Sequence, residues 1–330
     1  MEKIMNLQML AEGSTNVTTD PGLSAENKTF YDMALIQEAS PNLIHDQFGQ
    51  KRPIPKNGGK KIEFRKYASL PKALQPLTEG VTPDGKKLSV STVEAEVNQY
   101  GDYACLSDVL DLTAIDNNAL EATKVIGRQA GLTLDTVVRN ILQAGTNVTY
   151  CPKVENGVET EITSREDLGE NCQLTVDMVH RVVAKLRAQN APTFRGKYVA
   201  IVHPYVVYDL MQDPAWIDAH KYADPKAVFE GEIGELGGVR FVQTTEAKIY
   251  EGGIFSSLFI GEGAYGVSEL SGGGLQTIVK QKGSAGSADP LDQRSSVGWK
   301  AMKTAEILIP AYMVRVESYS NRFSPTVKAN

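Results

Sequence analysis

FGQKRPIPKNGGKKIEFRKYASL, residues 48–70, opens as turn-punctuated backbone rich in Gly, Pro and Lys and then changes character. From Lys60 onward Ile62 and Phe64, and then Tyr67, face away from charged neighbours as the inward positions of a strand do. An irregular tip follows, PKALQPLTEGVTPDGKK (71–87), with Pro71, Pro76, Pro83 and the turn pair Asp84-Gly85. LSVSTVEAEVNQYGDYACL (88–106) then alternates on the way back, through Val90, Val93, Ala95, Val97 and Tyr103. The spacing predicts a long two-stranded excursion with few large apolar groups near its end. A hairpin of that kind is marginal in water by itself.

Its charge is one-sided. Between Lys51 and Lys87 there are ten Lys/Arg against three acids (Glu63, Glu79, Asp84), +7 in a chain of net charge −6, so the remainder carries −13. A basic arm on an acidic body predicts docking on a neighbouring body through Lys60, Lys61, Arg65, Lys66, Lys86 and Lys87. The competing readings are a solvated loop and a nucleic-acid arm, the latter weakened by the lack of stacking aromatics near the tip.

The rest of the chain is that of a soluble globular protein: 330 residues, 42% hydrophobic and 22% charged. A pI near 5.4 argues against wholesale neutralisation of nucleic acid. Cys105, Cys151 and Cys172 are odd in number and lack CxxC spacing, so neither a disulfide framework nor a zinc site is expected. No apolar run reaches membrane-spanning length, and the N-terminus is too polar for a signal peptide.

In order, residues 1–23 read as an arm, and Ser24 caps a helix to about Ala39 with Tyr31, Leu35 and Ala39 on one stripe. Asp116 caps the longest helical pattern, Asn117–Ala144, with Leu120, Ala122, Val125, Ile126, Leu134, Val138 and Leu142 at helical spacing. Gly127 and Gly131 inside it suit close packing or a bend. An α/β lobe spans roughly 147–287: a hairpin in CPKVENGVETEITS, a helix capped by Thr175, the buried strand KYVAIVH, a helix begun by Pro204 and further strands at 238–244 and 256–261. LQTIVKQKG (275–283) and WKAMKTAEILIPAYMVRVES (299–318) read as long strands, the last packing on the long helix.

Catalytic chemistry finds little support. Gly261-Glu-Gly263-Ala-Tyr-Gly266 matches GxGxxG, but VSELSGGG after it cannot make the helix a dinucleotide site needs, so a glycine-rich β turn is expected. His45, His180, His203 and His220 are scattered and read as structural, and Asp209 and Asp213 as a solvated helix face. No catalytic residue, cofactor or metal ligand is expected. Two classes remain on residues alone: a structural subunit that assembles through arms, and an enzyme whose site carries no motif.

The order of features, with the strings FGQKRPIPKNGGKKIEFRKY, LPKALQPLTEGVTPDG, QYGDYACLSDVLDLTAID, AGLTLDTVVRN, NAPTFRGKYVAIVHPYVVYDLMQDPAWIDAHKYA and GEIGELGGVRFVQTTEAKIY, resembles the major capsid proteins of tailed bacteriophages, the Hong Kong ninety-seven-type fold. The likeness covers most of 20–320. It implies an α+β chain with an N-terminal arm (1–50), an E-loop (51–105), a peripheral domain (106–146 and 275–330, spine helix 116–144) and an axial domain (147–274). It further implies hexamers and pentamers in an icosahedral phage head around double-stranded DNA, assembled in the bacterial cytoplasm and carried in the virion. Portal, scaffolding and decoration proteins would be its partners, with no membrane. Under the resemblance Asp289, Gln293 and Arg294 lie in a loop near three-fold contacts, and Glu79 and Asp84 join the lysines as inter-subunit residues. An encapsulin-like compartment shell is the alternative within the same fold.

Overall fold

The structure is a computed structural model that describes residues 33, 35–39, 43–55, 59–67, 70–77, 79–80, 82, 84–113, 118–155, 157–221, 235–269, 273–284 and 289–330. The expectations for the arm 1–23, for Tyr31, for the Asp116 cap and for the side chains of Lys66 and His220 lie outside the described residues.

In chain order the strands begin with β1 (Gln50–Lys51), β2 (Lys61–Tyr67), β3 (Val90–Glu96), β4 (Asn98–Ser107), β5 (Val148–Tyr150), β6 (Lys153–Glu155), β7 (Val158–Thr160) and β8 (Tyr198–Val202). They continue with β9 (Glu235–Leu236), β10 (Val239–Gln243), β11 (Ile249–Tyr250), β12 (Ile254–Ile260), β13 (Tyr265–Glu269), β14 (Gln276–Lys280), β15 (Arg294–Ile307) and β16 (Met313–Tyr319). Among the described residues the helices with defined bounds are α1 (Asp108–Thr113), α2 (Asn118–Gln143), α3 (Val176–Ala188), α4 (Pro204–Met211) and α5 (Pro214–Lys221), and residues 35–39 are helical as well. The mixture of helix and sheet is the α+β class expected. The chain divides into two compact units, 1–40 with 101–129 and 275–300, and 41–100 with 130–274 and 301–330.

In the first unit β14 pairs antiparallel with the start of β15, Gln276 opposite Lys300 and Lys280 opposite Ser296, and β4 joins the same strand. Leu35 and Ala39 are buried, as their stripe predicts. Gly127 has the packing role its position suggested: a Cβ there would stand 2.9 Å from the Leu35 carbonyl oxygen. Arg128 Nε meets Glu38 at 2.9 Å beside that contact. Val125, read as part of the apolar stripe, is instead 65% exposed.

The second unit is built on a seven-stranded sheet in the order β5-β16-β12-β8-β10-β9, with β11 on β12. β8 and β12 are buried along their whole length, which is why they read as unbroken apolar runs rather than alternating ones. Against them packs α3, whose Val176, Val179, Val182, Val183 and Leu186 are all buried. Its start is fixed as expected, Thr175 Oγ1 accepting from the Met178 amide at 3.3 Å. Pro204 opens α4 as its first residue, and β6 and β7 form the expected hairpin.

One expectation fails here. Residues 299–318 are not one strand. Pro310 has no amide hydrogen and a fixed φ, so the ladder stops, and a single 3₁₀ turn, Pro310–Tyr312, redirects the chain. β15 before the turn pairs with β13, whereas β16 after it enters the seven-stranded sheet between β5 and β12.

Candidate assembly surface

The excursion is seated on the second unit by its root. Gln50 and Lys51 run parallel to β13, the Arg52 amide donates to the Val267 carbonyl at 3.0 Å and the Ile54 amide to that of Glu269 at 2.8 Å. Below this edge lies a buried polar cluster. Both oxygens of Asp135, on α2, accept from His45, one from its amide and one from Nδ1, each at 2.7 Å; the two residues are 0% and 1% exposed. Because a carboxylate only accepts, Nδ1 carries the proton. Next to it Asp46 meets Lys303 at 3.0 Å, both nearly buried, and the Tyr265 hydroxyl donates to the His45 carbonyl. Burial, then the nearby Asp46 charge, pushes the Tyr265 phenol well above its ordinary range. His45 is therefore a structural residue, as expected, though placed in an ion-paired core.

β2 and β3 pair antiparallel with Phe64 opposite Val93 and Ile62 opposite Ala95. That register puts Phe64 and Ala95 on the inner face, each 3% exposed. The Phe64 ring lies on Gly266, where a Cβ would approach it to 2.7 Å. The third glycine of the GxGxxG string is thus a seat for the arm. The string leads into β13, not a helix, so it is the β turn expected.

The register also changes the electrostatic picture. Lys61 stands opposite Glu96 and its Nζ lies 3.4 Å from Glu94, while Glu63 stands opposite Glu94. The returning acids lie beyond Lys87: residues 51–105 hold ten Lys/Arg and six Asp/Glu, so the whole arm carries +4. Lys60 is exposed and Arg65 has no carboxylate partner among the described residues, but Lys61 is internally paired.

Beyond the strands the tip is more apolar than expected. Leu74 and Leu77 are 82% and 76% exposed, the most exposed large apolar side chains described, with Leu70, Leu88 and Val90 also open. Large apolar side chains exposed in such number make this segment a candidate interaction surface. Glu79, Asp84, Lys86 and Lys87 lie in the same segment of sequence, all exposed. The signal was in the sequence, as leucines at 70, 74, 77 and 88 without a strand or helix period to bury them.

The remaining expected contact residues belong to the first unit and have internal work. Asp289 is buried, one carboxylate oxygen accepting the Arg294 amide at 2.8 Å and its carbonyl accepting from Asp292. The Gln293 carbonyl accepts from Asp108, and Arg294 projects outward, 63% exposed. Asp289 closes a turn that presents Arg294.

Elsewhere, Asp213 is a capping residue rather than part of a solvated face: its carboxylate accepts the Val176 amide of α3 at 2.8 Å and the Ala215 amide of α5 at 2.9 Å. His203 caps α4, Nδ1 accepting from the Tyr205 amide, and burial pushes its imidazole down to about 4. Cys151 and Cys172 are buried and Cys105 is exposed, all three free. Among the described residues no three His, Cys, Asp or Glu side chains gather as a metal site, and no helix is long and apolar enough to cross a membrane.

Residues 26–257 match the model of the family described as phage capsid protein. The fold is similar to that of the Ralstonia phage GP4 capsid (14% identity, TM-score 0.62, covering 85% of this chain and 89% of that one). It is equally similar to the capsid of the cyanophage P-SCSP1u (14% identity, TM-score 0.62, 83% and 87%). A virus-like particle from Pyrococcus furiosus matches less closely, at 11% identity and TM-score 0.51 over 88% and 99% of the two chains. No curated protein sequence matches the chain.

Proposed function

The chain belongs to the phage capsid protein family, and we propose that its copies build the hexamers and pentamers of a closed icosahedral head around packaged double-stranded DNA. It is a coat subunit, and its role is structural. The arm of each copy lies across its neighbour, which completes a hairpin that by itself has too little to bury. The observation that carries this reading is the tip: two leucines more than three-quarters exposed at the end of a hairpin whose root is firmly seated. Such a geometry is unfavourable for a solitary subunit and suited to a shell. DNA is held without sequence-specific contacts, consistent with a net charge of −6. Assembly takes place in the host cytoplasm with scaffolding and portal proteins, and decoration proteins join the finished shell.

The test is cryo-electron microscopy of particles sedimented from cells expressing the chain, alone and with its scaffold. Closed shells or capsomer rings with the arm over a neighbour are expected. Monodisperse monomers under both conditions would overturn the reading. A shell purified with protein cargo and no DNA would favour a compartment of the encapsulin kind.

A further inference from the structure

Beside the hairpin root the second unit carries a cavity of about 430 Å³. Its apolar walls are Phe64 and Val93 of the hairpin, Pro192, and Leu308, Ile309 and Tyr312 from the turn between β15 and β16. Its exposed edge carries Arg52, Arg65 and Glu262. We propose that this cavity receives Leu74 and Leu77 from the arm tip of a second copy of the chain. The inference rests on the coat-protein reading above and adds the place where one copy holds the next.

Three observations converge on that occupant. The first is size and chemistry: a cavity of roughly 150 Å³ already accommodates a benzene ring, so this one has room for two leucine side chains, and the tip offers the two most exposed leucines described. The second is charge. Among the described residues Arg52 and Arg65 have no carboxylate partner, and neither Glu79 nor Asp84 on the tip has a cation. Glu262 is likewise unpaired, and Lys86 and Lys87 flank the leucines, Lys86 holding only a 3.5 Å bond to the Pro71 carbonyl. The edge offers two cations and one acid, and the tip supplies acids and cations to meet them.

The third is reach. Arg65 pairs with Thr92 and the ladder continues to Tyr67 and Val90, so the chain runs away from its own cavity. Leu77 lies thirteen residues beyond Phe64, up to roughly 40 Å of extended chain. A copy therefore presents its leucines to another copy's cavity and leaves its own for a third. Such a heterologous contact closes into rings when the rotation between copies permits.

The test is a thiol pair in the full chain with Cys105→Ser to remove the exposed native thiol. Gln75→Cys places one thiol between the two tip leucines and Glu262→Cys places the other at the cavity edge. Oxidised shells of the double variant should give a ladder of dimers and higher multimers on non-reducing gels, while either single variant stays monomeric. Shells without a ladder would overturn the cavity assignment and leave the coat reading standing, as would a link formed within one chain. Should the double variant not assemble, the charge exchange decides. Arg65→Glu or Glu79→Arg alone should lower shell yield about tenfold and the two together should restore it; no restoration overturns the proposal. An unmutated chain that forms no shell even with its scaffold removes the coat reading, and this one with it.

Discussion

The lobe and the arm are both made of strands, yet they solve opposite problems. In the lobe, every residue of β8 and β12 is buried, and Phe241 of β10 meets Phe259 of β12 edge to face at 6.4 Å and Trp216 of α5 at 6.2 Å. Among the described arm residues Ile54, Phe64, Ala95 and Val97 are the buried ones, all near the root, and exposure rises toward Leu74. The lobe carries its stability within one chain. The arm is held at its root, and its outer half leaves its apolar side chains exposed. Under the proposed assembly, such a subunit folds first and keeps that exposed apolar end for its neighbour.

The largest expected effect sharpens the lobe's half of that contrast. Phe259→Ala, at a fully buried position, should cost about 4 kcal/mol, read from the urea midpoint of the unassembled subunit. A midpoint left where it was would mean the lobe does not hold the chain together. Next comes the root. Asp135→Ala strands both the amide and the ring of buried His45 and should cost about 3 kcal/mol, again seen in the unassembled subunit. If it weakened only the shells, the root would belong with the tip. The tip itself should divide the two properties: Leu74→Ser with Leu77→Ser should move subunit stability by less than about 0.5 kcal/mol while raising the protein concentration needed for shells about tenfold. A subunit that unfolds more readily would show that the leucines pack within their own chain.

The smallest effect is one of pH. Burial holds His203 at about 4 against an ordinary 6.5, so the unfolded chain takes up the proton first as pH falls. The lobe has this contribution in full above pH 6.5 and loses it between 6.5 and about 4. His203→Asn keeps an acceptor for the Tyr205 amide and should flatten that acid slope in melting temperature, with little change at pH 7. An unchanged slope would place the acid sensitivity elsewhere.

Much of the lobe was legible because its signals are local. Thr175, the 3.6-residue stripe of α3, the apolar run of β8 and Pro204 each act within a few residues of where they stand. Most of the failures are non-local. Pro310 was visible, but that the segment after it would leave one sheet for another depends on which strands lie open to pair. Lys61 looked free until the register set Glu94 and Glu96 across from it. The root cluster was invisible for the same reason: ninety residues separate His45 from Asp135, and no period links Asp46 to Lys303. The tip leucines were misjudged by composition, since a stretch rich in Pro, Gly and Lys conceals how much apolar surface it displays.

The buried root cluster has a mechanical meaning. An arm of roughly 40 Å pivoting at its base turns a rotation of about 5° into a displacement of about 3.5 Å at the tip, enough to lift a leucine out of contact. Ion pairs and hydrogen bonds between buried groups are directional, whereas apolar packing tolerates small rotations. Fixing the base through His45, Asp46, Asp135 and Lys303 therefore limits angular error where it would be most amplified. Under the proposed docking, the mounting of the lever, more than its length, governs how reproducibly one copy finds the next.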